Sequence, residues 1–501
     1  MYQILTIKIK VMKKITLFLL LICFAFSTST KANNIQVSNI SLENLNEVSN
    51  WVHVEFDLFW ENSWRISSGP SNWDAAWVFI KYRVNNGAWT HGIVSQANSV
   101  AAAGSTLDVT SDGMGAFIYR AADGSGNVNF QNTQLRWNFG ATDTNDIIDI
   151  QVFAIEMVYV PEGPFYLGGT TGSEANKFYA GGFSTSSSYQ VASENAITIA
   201  NTSGNLYYTA TNASGGDLTG SLNASFPKGF GAFYCMKYEV TEAQWLGFFN
   251  SLTETQKINR DVTDIDHKNS DAVISRNTIS WTGGSASATT SAPDRACSYL
   301  SPGDINAYMD WTGMRPMTEL EYEKACRGPV LPKPGEFAWG SANIASNAYT
   351  LVNSGFSSER VSNPETNTGN AIYADTNGTI SGPLRNGIFA ASAVNNNREE
   401  TGGTYYGIME MSGNLYERCV SVGTAQGRNF TGVHGNGIIS STGNGTAVNW
   451  PNNTTGDGYS YRGGSWLNGA DFIRVSDRFD GASVIGTGNN RLGFRAVRTA
   501  P

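Results

Sequence analysis

Histidine and cysteine are scarce in this chain, and neither follows a pattern that binds zinc or iron. The 501 residues include 4 His and 5 Cys, and no two cysteines are separated by only two residues. The histidines are scattered along the chain without the spacing of metal ligands. A zinc site or a histidine-based iron site is therefore not expected. Each histidine is interpreted as a surface or packing residue: His53, His91, His267 and His434.

Charged residues are also few, and acidic ones outnumber basic ones. They make up 15% of the chain, with 33 Lys and Arg against 42 Asp and Glu. This balance argues against nucleic-acid binding through a basic surface. The 54 Gly, 13 Trp, 21 Tyr and 25 Phe indicate a polar, loop-rich globular protein. The length is enough for two or three domains.

No apolar run is as long as the roughly 20 residues needed to cross a bilayer, so no transmembrane segment is predicted. The longest run covers residues 15–26, follows Lys13 and Lys14, and precedes small residues that end at Ala32. This order is typical of a secretory signal peptide. Residues 1–32 are therefore predicted to be a signal peptide, and the protein to be secreted: extracellular, periplasmic or at the cell surface.

The cysteines bear on both anchoring and redox state. Ile22 stands before Cys23, where a lipoprotein signal has a small residue, so a lipid anchor is disfavoured. After removal of the signal an even number of cysteines remains in an oxidising compartment, where thiols tend to pair. Three connectivities are possible, and the sequence selects none. The four residues are Cys235, Cys297, Cys326 and Cys419.

Residues 33–154 are predicted to form an antiparallel β-sandwich. Apolar and polar residues alternate in Trp51–Trp60, Trp77–Val84 and Ile147–Phe153, and Gly- and Asn-rich turns separate such segments. The last segment continues beyond residue 154 without a flexible linker. The domain that follows is therefore expected to be docked closely against the sandwich.

Beyond this point the sequence predicts three capped helices among long loops. Thr241–Gln244 and Thr318–Glu321 have the capping-box pattern, and Ser301–Asp304 has an N-cap followed by proline. Glu319 and Glu323 are four residues apart on the third helix. We interpret them as a solvated face rather than as a catalytic carboxylate pair, which would need a shared pocket.

Six motifs in the C-terminal two thirds follow one another in a recognisable order: Met157–Gly163, Phe233–Thr241, Arg315–Ala325, Gly407–Glu417, Arg462–Trp466 and Leu492–Arg495. Together they resemble the sulfatase-modifying-factor family, whose founding activity is that of the formylglycine-generating enzyme. The resemblance covers about residues 155–498, and the domain is predicted as residues 155–501. It implies an α+β, loop-rich, C-type-lectin-like fold stabilised by calcium.

The resemblance also implies calcium ligands. In one site of the family, carbonyl oxygens and a carboxylate hold the ion, which corresponds here to the carbonyls of Gly413 and Leu415 and the side chain of Glu417. A second site uses an asparagine that follows a Trp-Gly motif. Asn343 and Asn347 are the candidates for that position, and Asn347 is the one assigned.

The family's oxidase holds copper between two thiolates five residues apart, and the chain lacks both. The corresponding positions are Asn468 and Ile473. Neither side chain is a soft ligand for Cu(I), so copper is not expected and no catalytic residue is assigned. The resemblance thus implies the fold, while the residues argue against the reaction.

The favoured interpretation is a secreted, non-catalytic, calcium-stabilised binding or structural module for a protein or glycan partner. The predicted ligand-binding residues are Asn468, Asp471, Arg474 and Arg478, while Trp466, Phe494, Arg462 and Arg495 are interpreted as structural. The alternative function is a formylglycine-generating-type oxidase that uses another pair of thiols. Two further hypotheses remain open: a structural part of a secretion or gliding apparatus, and a ligand-display surface like those that retroelements diversify.

Overall fold

The computed structural model describes residues 5–8, 34–140, 146–170, 174–375 and 380–501. Apart from residues 5–8, the predicted signal peptide lies outside these ranges. Within the described ranges, every helix is too short or too polar to cross a membrane.

The described chain consists mainly of short strands and loops, with few helices, and is therefore an α+β, loop-rich fold. The N-terminal strands are β1 (Leu5–Lys8), β2 (Gln36–Asn46), β3 (Trp51–Arg65), β4 (Asp74–Val84), β5 (Thr90–Gly92), β6 (Val94–Val100), β7 (Ser105–Val109), β8 (Ala116–Arg120), β9 (Gly124–Asn138) and β10 (Ile147–Val160). The remaining strands are β11 (Phe165–Leu167), β12 (Phe178–Ala180), β13 (Tyr189–Val191), β14 (Ile197–Thr198), β15 (Leu206–Tyr208), β16 (Ser221–Leu222), β17 (Phe233–Met236), β18 (Arg315–Pro316), β19 (Leu351–Val352), β20 (Arg360–Val361), β21 (Tyr416–Val420), β22 (Tyr459–Arg462), β23 (Leu492–Gly493) and β24 (Ala496–Thr499). The helices are α1 (Glu242–Asn250), α2 (Glu254–Ile258), α3 (Pro302–Thr312), α4 (Glu319–Arg327), α5 (Ile388–Ser392) and α6 (Ala425–Arg428), with a 3₁₀ turn at Ala470–Ile473.

The N-terminal strands form two antiparallel sheets that share an apolar core. One sheet has the order β2-β3-β9-β6, and the other contains β10-β4-β8-β7. The alternating pattern of β3 places Phe56, Leu58 and Trp60 in the core between the sheets, where they are fully buried. Ile150 and Val152 of β10 pack in the same cluster. The period of two in the sequence therefore produces the two-layer arrangement.

The sheet that contains β10 continues into the C-terminal part of the molecule. β10 pairs with β4 over Ile148–Val158 and with β17 over Met157–Val160, so one sheet runs in the order β18-β24-β17-β10-β4-β8-β7. It is buried on both faces: Val78 belongs to the sandwich core and Trp77 to the C-terminal core. The predicted boundary between residues 154 and 155 lies inside β10. The two parts are therefore joined by a continuous strand rather than by a linker.

Three predicted helix starts have the expected caps. Thr241, Ser301 and Thr318 each accept a hydrogen bond from the third residue of α1, α3 and α4, and the side chain of that residue returns one to the cap. The structure adds a further capping box at Thr253, which begins α2. The caps satisfy backbone N–H groups that the first turn of a helix would leave unpaired.

Helix α4 corrects the interpretation of Glu319 and Glu323. Both side chains are fully buried rather than solvated. Arg462 and Arg478 reach the two carboxylates from more than 130 residues further along the chain. Spacing within one helix shows only its local partners, so the sequence pattern gave no sign of these arginines.

The four cysteines of the described chain are all free and buried, so the expected pairing is absent. Cys235, Cys326 and Cys419 belong to one apolar cluster that also contains Val160 and Tyr322. They occupy core positions as small apolar side chains do.

Candidate functional site

One of the four predicted ligand-binding residues, Arg478, does not lie at the surface. Arg478 is fully buried, and its Nε and Nη2 atoms donate to the two oxygens of Glu319 at 2.8 and 2.9 Å. Its guanidinium also lies 4.1 Å from the centre of the Phe178 ring. Arg478 is therefore a structural residue, and its assignment to a ligand site was wrong.

The other three predicted ligand-binding residues remain at or near the surface. Asp471 and Arg474 form an ion pair at 2.8 Å, with side chains that are 66% and 21% exposed. Asn468 is half-buried, and its Oδ1 accepts a hydrogen bond from the hydroxyl of Ser465. The exposed Phe479 packs edge-to-face on Phe472 beside them. We call this surface the C-terminal patch: Asn468, Asp471, Phe472, Arg474 and Phe479.

Buried ion pairs fix the C-terminal patch to helix α4. Arg462 bridges Glu319 at 3.1 Å and Glu323 at 2.8 Å. Burial alone would raise the pKa of Glu319, but Arg478 and Arg462 outweigh it and lower that pKa below its ordinary value. Glu319 is therefore ionised. It connects helix α4 to the end of β22 through Arg462 and to the segment after the 3₁₀ turn through Arg478. The predicted structural role of Arg462 agrees with this geometry.

The two carboxylate oxygens of Glu417 differ in their hydrogen bonding. Arg495 donates to Oε1 at 2.6 Å, whereas Oε2 is buried and has no hydrogen-bond partner in the described part of the chain. Burial raises the pKa of Glu417, and the charge of Arg495 opposes that rise. A buried carboxylate oxygen without a partner is costly, and a bound cation would satisfy it. Glu417 thus fits a cation site through one atom.

The backbone near Glu417 is fixed by its neighbours. Gly413 has a φ of +88°, and an added Cβ would lie 2.4 Å from the carbonyl oxygen of Ile372, so only glycine fits there. The N–H of Leu415 donates to Glu239 at 2.9 Å. The described residues contain no group of three His, Cys, Asp or Glu that could hold a metal. Any calcium at this position would therefore depend on backbone carbonyls such as those of Gly413 and Leu415.

The second predicted metal position lies on a surface loop. Asn347 is exposed, and its backbone N–H donates to Glu365 at 2.8 Å. The backbone carbonyl of the other candidate, Asn343, accepts a hydrogen bond from the indole of Trp339. Its side-chain NH₂ group donates to Glu399. Asn343 is thus engaged in holding its own loop, whereas the side chain of Asn347 faces solvent.

The two positions of the family's copper thiolates carry structural side chains. Ile473 is fully buried in a cluster with Phe337 and Trp339, and Asn468 is bonded to Ser465. Among the four cysteines themselves, burial raises the pKa of Cys326 to about 12 and raises the pKa of Cys235, Cys297 and Cys419 as well. Such thiols are protonated near neutral pH, whereas copper and nucleophilic chemistry both need thiolates.

A large cleft that sequence reasoning missed lies between the N-terminal sandwich and helix α1. Its volume is about 1240 Å³, and it is bordered by the start of β2, the turn that precedes β5, the middle of β10 and the loop 285–294. We call it the interdomain cleft. Six separate stretches of the chain contribute lining residues, and they come together only in the fold. No local signal in the sequence could therefore have located it.

The described chain is thus an α+β, loop-rich domain with a buried arginine–glutamate core, preceded by strands of a shared sheet. A family model described as sulfatase-modifying factor enzyme 1-like domain matches residues 151–500. The chain belongs to this sulfatase-modifying-factor family. A comparison with curated proteins found no match.

Proposed function

We propose that this protein is a secreted, non-catalytic binding or structural module in which the sulfatase-modifying-factor domain serves as a rigid scaffold. The predicted signal sequence supports the secreted location. The fold class proposed for the domain is C-type-lectin-like, and its partner is a protein or a glycan. A shared fold alone does not carry the oxidase reaction, which depends on specific residues at the site.

The observation that carries this proposal is the state of the thiols. Each of the four described cysteines is fully buried with a raised pKa, and the two positions expected to hold copper carry Asn468 and Ile473. A formylglycine-generating-type oxidase would need two thiolates exposed together in a cleft. That alternative would require a large rearrangement of the core around Cys235, Cys326 and Cys419.

Calcium is proposed as a structural ion rather than as a reactant. Glu417 would bind it through the carboxylate oxygen that has no partner, together with the carbonyls of Gly413 and Leu415. Asn347 is the proposed contributor to a second site. Bound calcium would neutralise buried negative charge and satisfy polar backbone in a fold that is rich in loops.

The C-terminal patch is one proposed contact surface. It combines an exposed ion pair, Asp471 with Arg474, and an exposed ring, Phe479, on a segment fixed by the buried charges of Glu319. Rigid aromatic and arginine side chains on a fixed scaffold are typical of binding surfaces.

Thiol accessibility and Cu(I) competition test the non-catalytic proposal together. A thiol reagent should label none of the four core cysteines in the native protein and all four after unfolding. The native protein should not remove Cu(I) from a chromogenic chelator. The double variant Asn468→Cys with Ile473→Cys is the matched positive control, because it restores two thiols at the positions of the family's copper ligands. Two fast-reacting native thiols that bind one equivalent of Cu(I) would refute the proposal.

A further inference from the structure

The interdomain cleft is large enough for an extended ligand. Its volume of about 1240 Å³ exceeds the roughly 300–1,000 Å³ typical of sites for single small molecules. It is bordered by the start of β2, which is the outer strand of its sheet, and by the middle of β10, whose sheet continues into the C-terminal part. Its walls come from both parts of the molecule, which β10 joins into one sheet. A ligand there would therefore meet a preformed surface.

Three aromatic side chains line the cleft, and two of them lie in turns that belong to different parts of the molecule, Trp89 and Phe356. Trp89 lies in the turn before β5, where the guanidinium of Arg83 is 4.9 Å from its ring and is itself paired with Asp149 at 2.7 Å. Fixed rings of this kind offer a flat apolar surface at low entropic cost.

Phe356 is the second ring, and it is 71% exposed on a tight turn. Glu359 fixes this turn by accepting a hydrogen bond from the N–H of Gly355 at 2.7 Å while pairing with Arg276 at 2.6 Å and with Arg295 at 3.4 Å. Burial would raise the pKa of Glu359, but Arg276, the Gly355 N–H and Arg295 outweigh it and lower that pKa. The exposed ring of Phe356 is therefore presented at the border of the cleft by a turn that buried charges hold in place.

The cleft also carries neutral hydrogen-bonding groups. Gln151 is only 7% exposed, yet its Oε1 atom has no hydrogen-bond partner among the described residues. Ser285, Ser287 and Ser291 are exposed at the border of the cleft. An amide and a hydroxyl can each both donate and accept, so the wall complements a ligand that carries hydroxyl groups. The buried oxygen of Gln151 in particular calls for a donor from the ligand.

The charges that line the cleft are balanced. Two basic residues, Arg83 and Lys257, and two acidic residues, Glu254 and Asp294, line it. Arg83 is paired with Asp149, and Lys257 donates to the carbonyl of Ala286 at 2.9 Å. With no excess of either sign, the cleft has no ionic anchor for a strongly charged ligand.

We propose that the interdomain cleft binds a neutral oligosaccharide several sugar units long. Pyranose rings stack by their C–H faces on Trp89 and Phe356, and sugar hydroxyls bond to Gln151 and to the serines of the loop 285–294. A sugar chain suits these walls because each unit has both an apolar face and a ring of hydroxyls. This inference rests on the proposed function as a binding module and names its ligand class and site.

The test is calorimetric titration of the full chain with four neutral hexasaccharides: β-1,4-glucan, β-1,3-glucan, α-1,4-glucan and β-1,4-mannan. We expect at least one to bind with a Kd below about 1 mM, the range of a few ring contacts. Phe356→Ala should weaken that binding roughly tenfold, or about 1.4 kcal/mol. Phe183→Ala is the matched control, because Phe183 is 58% exposed and does not line the cleft, and it should leave the affinity unchanged.

Two results would overturn the inference: no binding of any of the four sugars, or binding that Phe356→Ala and Trp89→Ala leave unchanged. Selection from a displayed peptide library of a sequence whose binding is lost in both variants would replace the sugar with a peptide. None of these results bears on the reactivity of the thiols, so the proposed function would survive them. Copper-dependent activity, in contrast, would refute the proposed function whatever the sugars do.

Discussion

Replacing the buried carboxylate of Glu319 by an amide should destabilise the protein strongly. In the native protein Glu319 accepts from Arg478 at 2.8 and 2.9 Å, from Arg462 at 3.1 Å and from the N–H of Val422 at 2.9 Å. Glu319→Gln keeps the shape of the side chain but removes its negative charge. One carboxylate oxygen becomes an NH₂ group, which cannot accept the hydrogen bonds that the arginines and the Val422 N–H donate. Arg462 and Arg478 would then keep buried positive charges that are only partly compensated.

The size of the effect follows from the burial of every partner. Loss of one member of a fully buried ion pair costs about 3–5 kcal/mol. The family domain spans residues 151–500. At about 2.1 cal/mol/K per residue, a domain of that length has an unfolding entropy of roughly 0.7 kcal/mol/K, so Tm should fall by about 4–7 °C.

Thermal and urea unfolding followed by circular dichroism would measure this change. The matched control is Asp471→Asn, which makes the same acid-to-amide change in an ion pair whose acid is 66% exposed. An exposed pair contributes about 0–1 kcal/mol, so Tm should move by about a degree at most. If Glu319→Gln shifted Tm no more than Asp471→Asn, the buried network would not stabilise the domain as described.

Two further perturbations test other parts of the structure. Calcium at a hundredfold excess over its Kd should stabilise the protein by about 2.7 kcal/mol relative to EDTA. Glu417→Gln should remove the part of this difference that comes from the site formed with Gly413 and Leu415, and an unchanged difference would exclude Glu417 as a ligand. Burial lowers the pKa of His267, but Asp304 and Asp264 outweigh it and raise the pKa to about 9. Because that pKa is raised above the unfolded value near 6.5, the ion pairs should contribute up to about 3 kcal/mol below pH 6.5, and this contribution should be lost as the pH rises through 9. His267→Gln should remove this part of the pH dependence of urea unfolding, and an identical dependence in both proteins would contradict the assignment.

Much of the local structure could be predicted because its causes are local. Alternation along residues 51–60 and 77–84 predicted the strands β3 and β4, and the caps at Thr241, Ser301 and Thr318 predicted the starts of α1, α3 and α4. Residues 170–225 lie among the long loops that the sequence predicts beyond the sandwich. They contain five short strands, β12 to β16. β12 pairs with β15, β14 pairs with β16, and β13 pairs with β11. Strands of two or three residues are too short to show a clear alternation in the sequence.

The charged core could not be predicted for a different reason. Arg478 resembles an exposed arginine, and Glu319 resembles a solvated glutamate, until the fold brings them within 2.9 Å of each other across 159 positions. Hydropathy counts each of them as polar, whereas burial depends on a partner that is distant in sequence. The interdomain cleft could not be predicted for the same reason. Trp89 and Phe356 are distant in sequence, and only the fold places both at the border of one cavity.

We propose that the scaffold of the family is present here without its reaction. The most direct measurement incubates the purified protein with Cu(I), oxygen and a cysteine-containing peptide, and follows oxygen uptake and the peptide mass that marks conversion of the thiol to an aldehyde. We expect no conversion above a copper-only control, because all four described thiols are buried and protonated. Conversion that requires the protein, and that Cys326→Ala or Cys419→Ala removes, would contradict this proposal.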